Sequence, residues 1–326
     1  MKISIWFKIT DKPWGGGNQF LRALSRNLEL LGHEVIDHPT PSADVILLNS
    51  HNRGPSLYLN INQVAQLRSM GRITWWGKIV SQKIWTRIPR KGPPLLHRLD
   101  GVAALIRGHR TNADILQFGI NPFCDYTIFQ SAYSQESFLK FGIIPSKSKI
   151  VHNGVDGNIF YPAQTKRTGQ YPLRLSAVSW SPNLRKGFST LAEISNLPNV
   201  ELSFIGHWPP EIAPNKTILL GVKNSSEIAE ILRQSDAFIH ASENENCSNA
   251  ILEALACAIP VLYKDSGGNR ELANDYGIAL TNYWDENISQ LFDSFDDLQE
   301  KLRQDHPKFL INHAAEAYLK AFEEAK

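Results

Sequence analysis

The chain has 326 residues, of which 42% are hydrophobic and 20% are charged. This composition is typical of a globular protein, and it includes no stretch long and apolar enough to cross a bilayer. The length exceeds that of one ordinary α/β domain and predicts two domains, each able to bury its own core. Three cysteines without Cys-x-x-Cys spacing argue against both a disulfide scaffold and a structural zinc site.

Charge is distributed unevenly behind the net value of +2. Residues 1–165 carry 19 Lys and Arg against 10 Asp and Glu, whereas residues 166–326 carry 15 against 22. We expect the positive half to meet something anionic, such as a substrate, a phosphate-bearing lipid or a membrane face; nucleic acid fits less well. The N-terminal residues lack the apolar core of a secretion signal, so we expect a cytoplasmic protein, with the inner face of the membrane as a further location.

Strand-like apolar runs alternate with helical stretches in both halves of the chain. In the first half the pattern predicts a strand over 3–9, a helix over 18–31, strands over 33–38 and 44–49, and a short buried strand after Pro93. In the second half it predicts strands over 173–178, 200–205, 237–240 and 259–263, with helices that begin near 188, 225, 248 and 269. This alternation indicates two α/β domains with parallel sheets.

A polar stretch over 163–171 predicts a hinge, with the domain boundary near 165. The first domain is then 1–165 and the second is 166–306. Apolar residues at helical spacing predict a last helix over 307–326, namely Leu310, Ala314, Ala315, Tyr318, Leu319 and Phe322. No strand follows this helix, so we expect it to cross back and pack on the first domain.

The most informative segment is a predicted strand, loop and helix over 237–260. Glu245 lies in the loop, Ser248 and Asn249 begin the apolar helix, and Glu253 lies inside it. Free backbone N–H groups and the positive end of a helix dipole, at the carboxyl edge of a parallel sheet, can hold a diphosphate. The two carboxylates suit contacts with sugar and ribose hydroxyls of one extended ligand better than they suit a shared metal.

This segment resembles the Glu-x7-Glu signature of the retaining glycosyltransferases of family 4, whose GT-B fold has two Rossmann-like domains facing a central cleft. Other similar blocks are the linker at 153–162, Lys186-Gly187, the Gly-Gly-x-x-Glu turn at 267–271 and, more loosely, Gly15 to Gly17 with 31–35. The resemblance covers nearly the whole chain and is weakest over 50–95. It implies a nucleotide-sugar donor on the second domain and an acceptor on the first.

The resemblance also implies roles for residues of the second half. Glu245 would contact the donor sugar, Glu253 the ribose and Lys186 the diphosphate, because a fixed ammonium stabilises the developing negative charge without a metal. The other donor-binding positions are Arg185, Val222, Cys247, Ser248 and Asn249. The chain departs from the family at Ser179-Trp180, where many members have a Gly-Arg pair. Either Arg185 or another cation takes over that contact, or the phosphate contacts are redistributed.

In the first half, the resemblance implies that the glycine loop lies near the donor phosphates and the acceptor. Gly16 and Gly17 would permit close backbone approach there, and a plain turn is the alternative. His97 matches a histidine that lies close to the reacting sugar, and His51 is the second candidate. Asp100 would orient His97, accept a proton from the acceptor, or cap a helix.

Tryptophans and basic residues are interspersed over 72–98, namely Trp75, Trp76, Trp85, Lys78, Lys83, Arg87, Arg90 and Lys91. This mixture fits peripheral contact with anionic lipid or a sugar-binding platform. A partly buried helix and loop is an equal alternative. We therefore keep membrane contact through the basic half as a hypothesis.

Together these features predict a metal-independent hexosyltransferase that retains anomeric configuration. The partners would be a nucleotide-sugar donor and an acceptor hydroxyl on a glycan, a glycolipid or a small molecule. No Asp-x-Asp motif is present, so neither a catalytic metal nor a cofactor is expected. Two alternatives stay open: a sugar-nucleotide 2-epimerase of the same fold, and a nucleotide-sugar binder that has lost catalysis. The sugar, the base, the acceptor and the oligomeric state are not specified.

Overall fold

The computed structural model describes residues 1–10, 15–69, 92–165, 169 and 171–326. These residues form two compact units, one of Met1–His152 with Ala314–Lys326 and one of Asn153–His313. Each unit is built on one sheet in which parallel pairing predominates. The predicted fold class, α/β with parallel sheets, is therefore confirmed.

The sheet of the first unit has eight strands among the residues that the structure describes. They are β1 (Lys2–Ile5), β2 (Glu34–Ile36), β3 (Val45–Asn49), β4 (Asn52–Gly54), β5 (Leu57–Tyr58), β6 (Leu95–Arg98), β7 (Tyr126–Phe129) and β8 (Ser148–Ile150). Six are parallel in the order β2-β1-β3-β6-β7-β8, and β4 and β5 continue from β3 by antiparallel pairing. The carboxyl ends of the parallel strands thus lie at one edge.

The described helices of the first unit's main segment are α1 (Gly16–Leu30), α2 (Ile61–Ser69), α3 (Ala103–Arg107), α4 (Asn112–Ile120) and α5 (Ala132–Lys140). Strand β3 reads Val-Ile-Leu-Leu-Asn and is buried along its whole length, as a parallel strand covered on both faces must be. Thr111 is the N-cap of helix α4, and its side chain forms a reciprocal capping box with Asp114.

The sheet of the second unit has six strands, all parallel. They are β9 (Leu173–Ser179), β10 (Val200–Gly206), β11 (Ile218–Leu219), β12 (Ala237–His240), β13 (Val261–Lys264) and β14 (Gly277–Leu280), in the order β11-β10-β9-β12-β13-β14. Its helices are α6 (Phe188–Ile194), α7 (Ser225–Gln234), α8 (Asn249–Ala256), α9 (Asn269–Ala273), α10 (Trp284–Asp293) and α11 (Phe295–Asp305). Phe238 and Ile239, adjacent on β12, belong to apolar clusters on opposite faces of this sheet.

The last helix, α12 (Ile311–Ala325), belongs to the first unit from Ala314 onward. Its buried Tyr318 packs against Phe20 of α1, with the ring centroids 5.7 Å apart. The division between the units falls at His152, earlier than the position near 165 indicated by the sequence. It lies there because Val155 exchanges backbone hydrogen bonds with residues at the start of α12, donating to Phe309 at 3.0 Å and accepting from Ile311 at 2.8 Å.

Most predicted elements coincide with observed ones to within a few residues. Strand β1 is the main exception, since it ends at Ile5 and not at Ile9. The Phe7 N–H donates back to the Ile5 carbonyl at 2.6 Å, so the chain turns away from the sheet there. In the described part of the chain, no helix combines the length and the apolar character needed to cross a membrane.

Candidate active site

The carboxyl ends of β9 and β12 bring together residues that the sequence predicted as donor-binding. Strand β9 is followed by a 3-10 turn at Leu184–Lys186, and β12 is followed by a loop over 241–248. The Glu243 N–H donates to the Arg185 carbonyl at 2.9 Å, which ties the two segments together. Parallel strands place both connections at the same edge of the sheet.

Lys186 and Glu245 form an ion pair across these two segments, with the Lys186 Nζ donating to a Glu245 carboxylate oxygen. Their side chains are 24% and 20% exposed, so the pair is partly shielded from water and interacts more strongly than a surface pair. In this state each charge neutralises the other. A ligand that carries both an anion and hydroxyl groups can satisfy the two side chains separately.

Two glycines allow the backbone to come this close. Gly187 has φ +78°, and a Cβ there would lie 2.4 Å from the Ala241 carbonyl oxygen. Gly267 has φ +65°, and a Cβ there would lie 2.4 Å from the Glu245 carbonyl oxygen. That carbonyl also accepts from the Gly268 N–H at 2.7 Å, so the turn after β13 holds the backbone of Glu245 in place.

The start of α8 is fixed by its own polar side chains. Ser248 caps the helix by accepting from the Ile251 N–H at 3.4 Å. Cys247 Sγ accepts from the Asn153 N–H at 3.3 Å, and Asn153 Nδ2 donates to Asn249 Oδ1 at 2.8 Å. The predicted residues Cys247, Ser248 and Asn249 therefore orient the helix terminus, whose N–H groups and dipole favour an anion.

Glu253 lies inside α8 and is partly exposed. Its carboxyl group has no hydrogen bond or ion pair among the described residues, and burial raises its pKa to about 8. A carboxyl without a partner in apolar surroundings is disfavoured as an anion. It is available to hydroxyl groups of a ligand.

The other predicted donor contacts lie further along the same edge. Arg185 is 43% exposed and its Nη1 is 3.9 Å from Glu243 Oε2, a loose ion pair. Val222 is exposed in the loop after β11, the edge strand. Trp180, where an arginine was expected, is 48% exposed and packs edge-on against His207 at a centroid distance of 5.3 Å. An aromatic pair thus occupies the place of the cation.

His97 lies inside the first unit and not at its surface. It is fully buried on β6, its Nε2 donates to the Ser50 carbonyl at 2.7 Å, and its Nδ1 accepts from Asn121 Nδ2 at 3.3 Å. Burial lowers its pKa to about 4, so the ring is neutral. With both nitrogens engaged, His97 has no free atom for a substrate, and its interactions fit a positioning role.

His51 is better placed for chemistry. It follows β3, is partly exposed, and stacks on Tyr58 at a centroid distance of 6.0 Å. The Ser50 hydroxyl donates to Gln117 Oε1 at 3.0 Å and lies 2.9 Å from His51 Nδ1. Because that single hydroxyl proton is already used, Nδ1 carries the proton and donates, which leaves Nε2 as an acceptor. Burial also lowers the pKa of His51, which favours the neutral ring.

Asp100 follows β6 and its side chain is 53% exposed. Its Oδ1 accepts from Gln130 Nε2 at 3.1 Å and lies 3.5 Å from Nη1 of the buried Arg98. Arg98 also donates to Asn49 Oδ1 at 2.7 Å, at the end of β3. Asp100 contributes to the electrostatic environment of His51, so these two predicted residues share one edge.

The glycine loop stands at the start of α1. Gly15 has φ +41°, a conformation that favours glycine, and Gly16 is the first helical residue. A Cβ at Gly17 would lie 3.8 Å from Asn49 Nδ2, so the helix begins close to the end of β3. This places Gly16 and Gly17 at the same sheet edge as His51.

The aromatic and basic segment predicted over 72–98 falls mostly outside the described residues, including Trp75, Trp76 and Trp85. The hypothesis of membrane contact through it stays a prediction. Among the residues that the structure describes, no group of three His, Cys, Asp or Glu side chains is arranged to hold a metal ion.

Three residues of this arrangement escaped the sequence analysis: Arg98, Asn153 and His240. Arg98 and His240 each directly precede a connection at a sheet edge, and that position is the signal that would have found them, whereas Asn153 is the first residue of the linker block. Arg98 and His240 are the last residues of buried strands β6 and β12. Polar residues at such ends are either buried with partners or directed at a ligand.

Two α/β units built on largely parallel sheets are the architecture of the GT-B class of proteins. Residues 211–308 match the family model of the glycosyl transferases group 1. The match spans 98 of the 326 residues and supports the resemblance to family 4 stated from the sequence.

Individual relatives extend the comparison. The chain is 27% identical over 176 residues to a GDP-mannose-dependent α-mannosyltransferase of Corynebacterium glutamicum, a match that covers 48% of this chain and 40% of the relative. It is similar in structure to a sucrose-phosphate synthase from Thermosynechococcus elongatus, with a TM-score of 0.68, 14% identity and 99% of both chains covered. HepE from Anabaena, in complex with UDP and glucose, gives a TM-score of 0.67 at 16% identity over 99% of this chain and 100% of HepE. The chain thus matches less than half of the mannosyltransferase, and the two structures show the fold.

Proposed function

We propose that the chain is a glycosyltransferase that passes a hexose from a nucleotide-sugar held by the second unit to an acceptor hydroxyl held by the first. The observation that carries this proposal is the Lys186–Glu245 pair at the carboxyl edge of a parallel sheet, next to the start of α8. The family match, the GDP-mannose-dependent relative and the UDP and glucose of HepE support it.

In the proposed donor complex, the N–H groups at the start of α8 and the Lys186 ammonium take the diphosphate. Glu245 accepts from sugar hydroxyls and Glu253 from ribose hydroxyls. As the bond between the anomeric carbon and the diphosphate breaks, negative charge grows on the leaving oxygen, and the preorganised ammonium and helix terminus stabilise it. This assignment requires no metal.

For the acceptor, the proposed contact is His51, with Asp100 beside it. His51 Nε2 accepts a hydrogen bond from a hydroxyl next to the reacting one on the acceptor and so aims the reacting oxygen. Retention follows if that oxygen attacks the anomeric carbon on the face that the diphosphate leaves, with the hydroxyl proton passing to the departing phosphate oxygen. His97 supports this geometry by holding the Ser50 carbonyl, where Ser50 has φ +51°.

The first test is a thermal-shift panel of UDP, GDP and ADP and their sugar conjugates, with and without EDTA. We expect one nucleotide series to raise Tm, equally in EDTA, and Glu253→Ala to weaken that shift. No shift with any of them would overturn the proposed donor site. A shift that EDTA abolishes and Mg²⁺ restores would overturn metal independence.

Lys186→Met tests the catalytic assignment directly. Loss of a preorganised charge at the leaving group lowers kcat by about 100-fold or more. Lys308→Met is the matched control, because Lys308 forms an exposed ion pair with Asp305 in the same unit. Equal activity of the two variants would contradict the role of Lys186.

A second candidate, a nucleotide-sugar binder without turnover, is favoured by one observation. Trp180 and His207 occupy the place where a phosphate-binding arginine was expected. Tight donor binding in the panel, without release of nucleoside diphosphate in the presence of acceptors or water, would support this candidate over the transferase.

A further inference from the structure

His240 is a buried polar residue to which the proposed mechanism gives no role. It ends β12, is 5% exposed, and its ring lies nearly parallel to that of Phe238 at a centroid distance of 6.1 Å. Its buried Nε2 has no hydrogen-bond partner among the described residues. Since burying such an atom without a partner costs free energy, a partner is expected in the working state of the site.

The charges that act on His240 are those of Glu245 and Lys186 in the donor site. Burial lowers its pKa to about 4, the Glu245 carboxylate acts in the opposite direction, and the Lys186 ammonium adds to the lowering. The imidazole is therefore neutral at neutral pH. A neutral ring can donate a hydrogen bond to a carboxylate without adding a charge to the site.

We propose that His240 is a positioning residue that holds Glu245 in the orientation that meets the donor sugar. Lys186 holds the Glu245 carboxylate. The donor diphosphate draws Lys186 away, so Glu245 loses that partner at the moment when it must face the sugar. The backbone of Glu245 is pinned by Gly268, so its side chain turns without displacement of the loop, and the unsatisfied nitrogen of His240 becomes its new partner.

This inference rests on the proposed function, and His240→Phe tests it. Phenylalanine keeps a ring against Phe238 and removes both nitrogens, so we expect Tm to be unchanged or higher. The nucleoside diphosphate identified in the panel should stabilise the variant as it does the wild type. Its sugar conjugate should lose at least about tenfold in affinity, and kcat should fall by a similar factor. His240→Gln, whose amide nitrogen can reach the position of Nε2, should recover most of the loss.

The double variant His240→Phe with Glu245→Gln distinguishes a positioning effect of His240 on Glu245 from a general packing effect. If His240 acts through Glu245, His240→Phe should add little to the loss already caused by Glu245→Gln. Ile239→Val on the same strand controls for small packing changes and should leave sugar binding intact.

Equal losses of nucleotide and nucleotide-sugar binding in His240→Phe would overturn the inference, as would fully additive losses in the double variant. Retention of wild-type sugar affinity and kcat would do the same. A wild-type chain that binds no nucleotide-sugar at all would instead overturn the proposed function. The two failures are therefore distinguishable.

Discussion

The unpaired carboxyl group of Glu253 should make the stability of the second unit fall as pH rises. Burial raises its pKa in the folded chain to about 8, against the ordinary value of 4.5. Above 4.5 the unfolded chain releases this proton while the folded chain keeps it. The free energy of unfolding is therefore not reduced by Glu253 below pH 4.5. It decreases as the pH rises from 4.5 towards 8, and above about pH 8 the reduction is constant.

The magnitude follows from the difference between the two pKa values. At about 1.4 kcal/mol for a tenfold change in proton affinity, the interval from 4.5 to about 8 corresponds to about 5 kcal/mol at most. Glu253 is partly exposed, so residual hydration reduces the effect to about 2 to 3 kcal/mol. Glu253→Gln has nearly the same shape and cannot ionise, so it should remove this penalty.

Urea unfolding of the wild type and of Glu253→Gln at pH 5 and pH 8.5 measures the difference directly. We expect little difference at pH 5, and we expect the variant to be more stable by about 2 to 3 kcal/mol at pH 8.5. The subtraction removes the contributions of all other titrating groups. In the same variant, the thermal shift produced by the nucleotide should decrease, because the proposed ribose contact is lost.

Glu243→Gln serves as the control, since Glu243 makes loose, exposed ion pairs with Arg185 at 3.9 Å and Lys264 at 3.7 Å. It should show no comparable gain at pH 8.5. A Glu253→Gln variant that is less stable than the wild type at pH 8.5, or that has the same advantage at both pH values, would contradict the raised pKa of Glu253. Unchanged nucleotide binding would remove the ribose assignment while leaving the stability argument intact.

Two further predictions concern packing and the histidines. Gly187→Ala should lower the free energy of unfolding, measured in urea, by about 2 to 4 kcal/mol, because the added Cβ would collide with Ala241. Gly32→Ala is the control: Gly32 has φ +83°, but an added Cβ would have no atom within 4 Å, so this variant should cost only about 1 kcal/mol. A similar cost for both would contradict the close-approach argument. His97→Gln should cost about 1 to 3 kcal/mol of stability through its two buried hydrogen bonds, whereas His51→Gln should leave Tm unchanged and lower kcat. The reverse pattern would restore His97 as the catalytic candidate.

Much of the fold could be predicted from the sequence because it depends on local periodicity. Segments such as 225–234 and 237–240 have the observed bounds of α7 and β12, since capping residues and buried apolar runs mark their ends. The strand-loop-helix arrangement around Glu245 likewise follows from the order of residue types. These features can be predicted without knowing which residues pack against them.

The sequence could not predict in the same way which of the two histidines is exposed. His97 and His51 both stand near the end of a predicted strand, and no local pattern distinguishes them. His97 is the third residue of β6, between β3 and β7, and therefore buried, whereas His51 lies beyond the end of β3. That difference arises from strand register and from neighbours distant in the chain.

The sequence by itself determined the α/β class and the positions of most helices and strands. It also determined which residues would lie at the carboxyl edge of the second sheet. These features follow from the sequence because residue spacing and the hydrophobic pattern encode them locally. Only the tertiary structure decided that Lys186 pairs with Glu245, that Gln130 holds Asp100, and that Glu253 has no partner for its carboxyl group among the described residues. These are relations between residues far apart in the chain. They depend on which strands become neighbours and on how much water the packing leaves at each side chain.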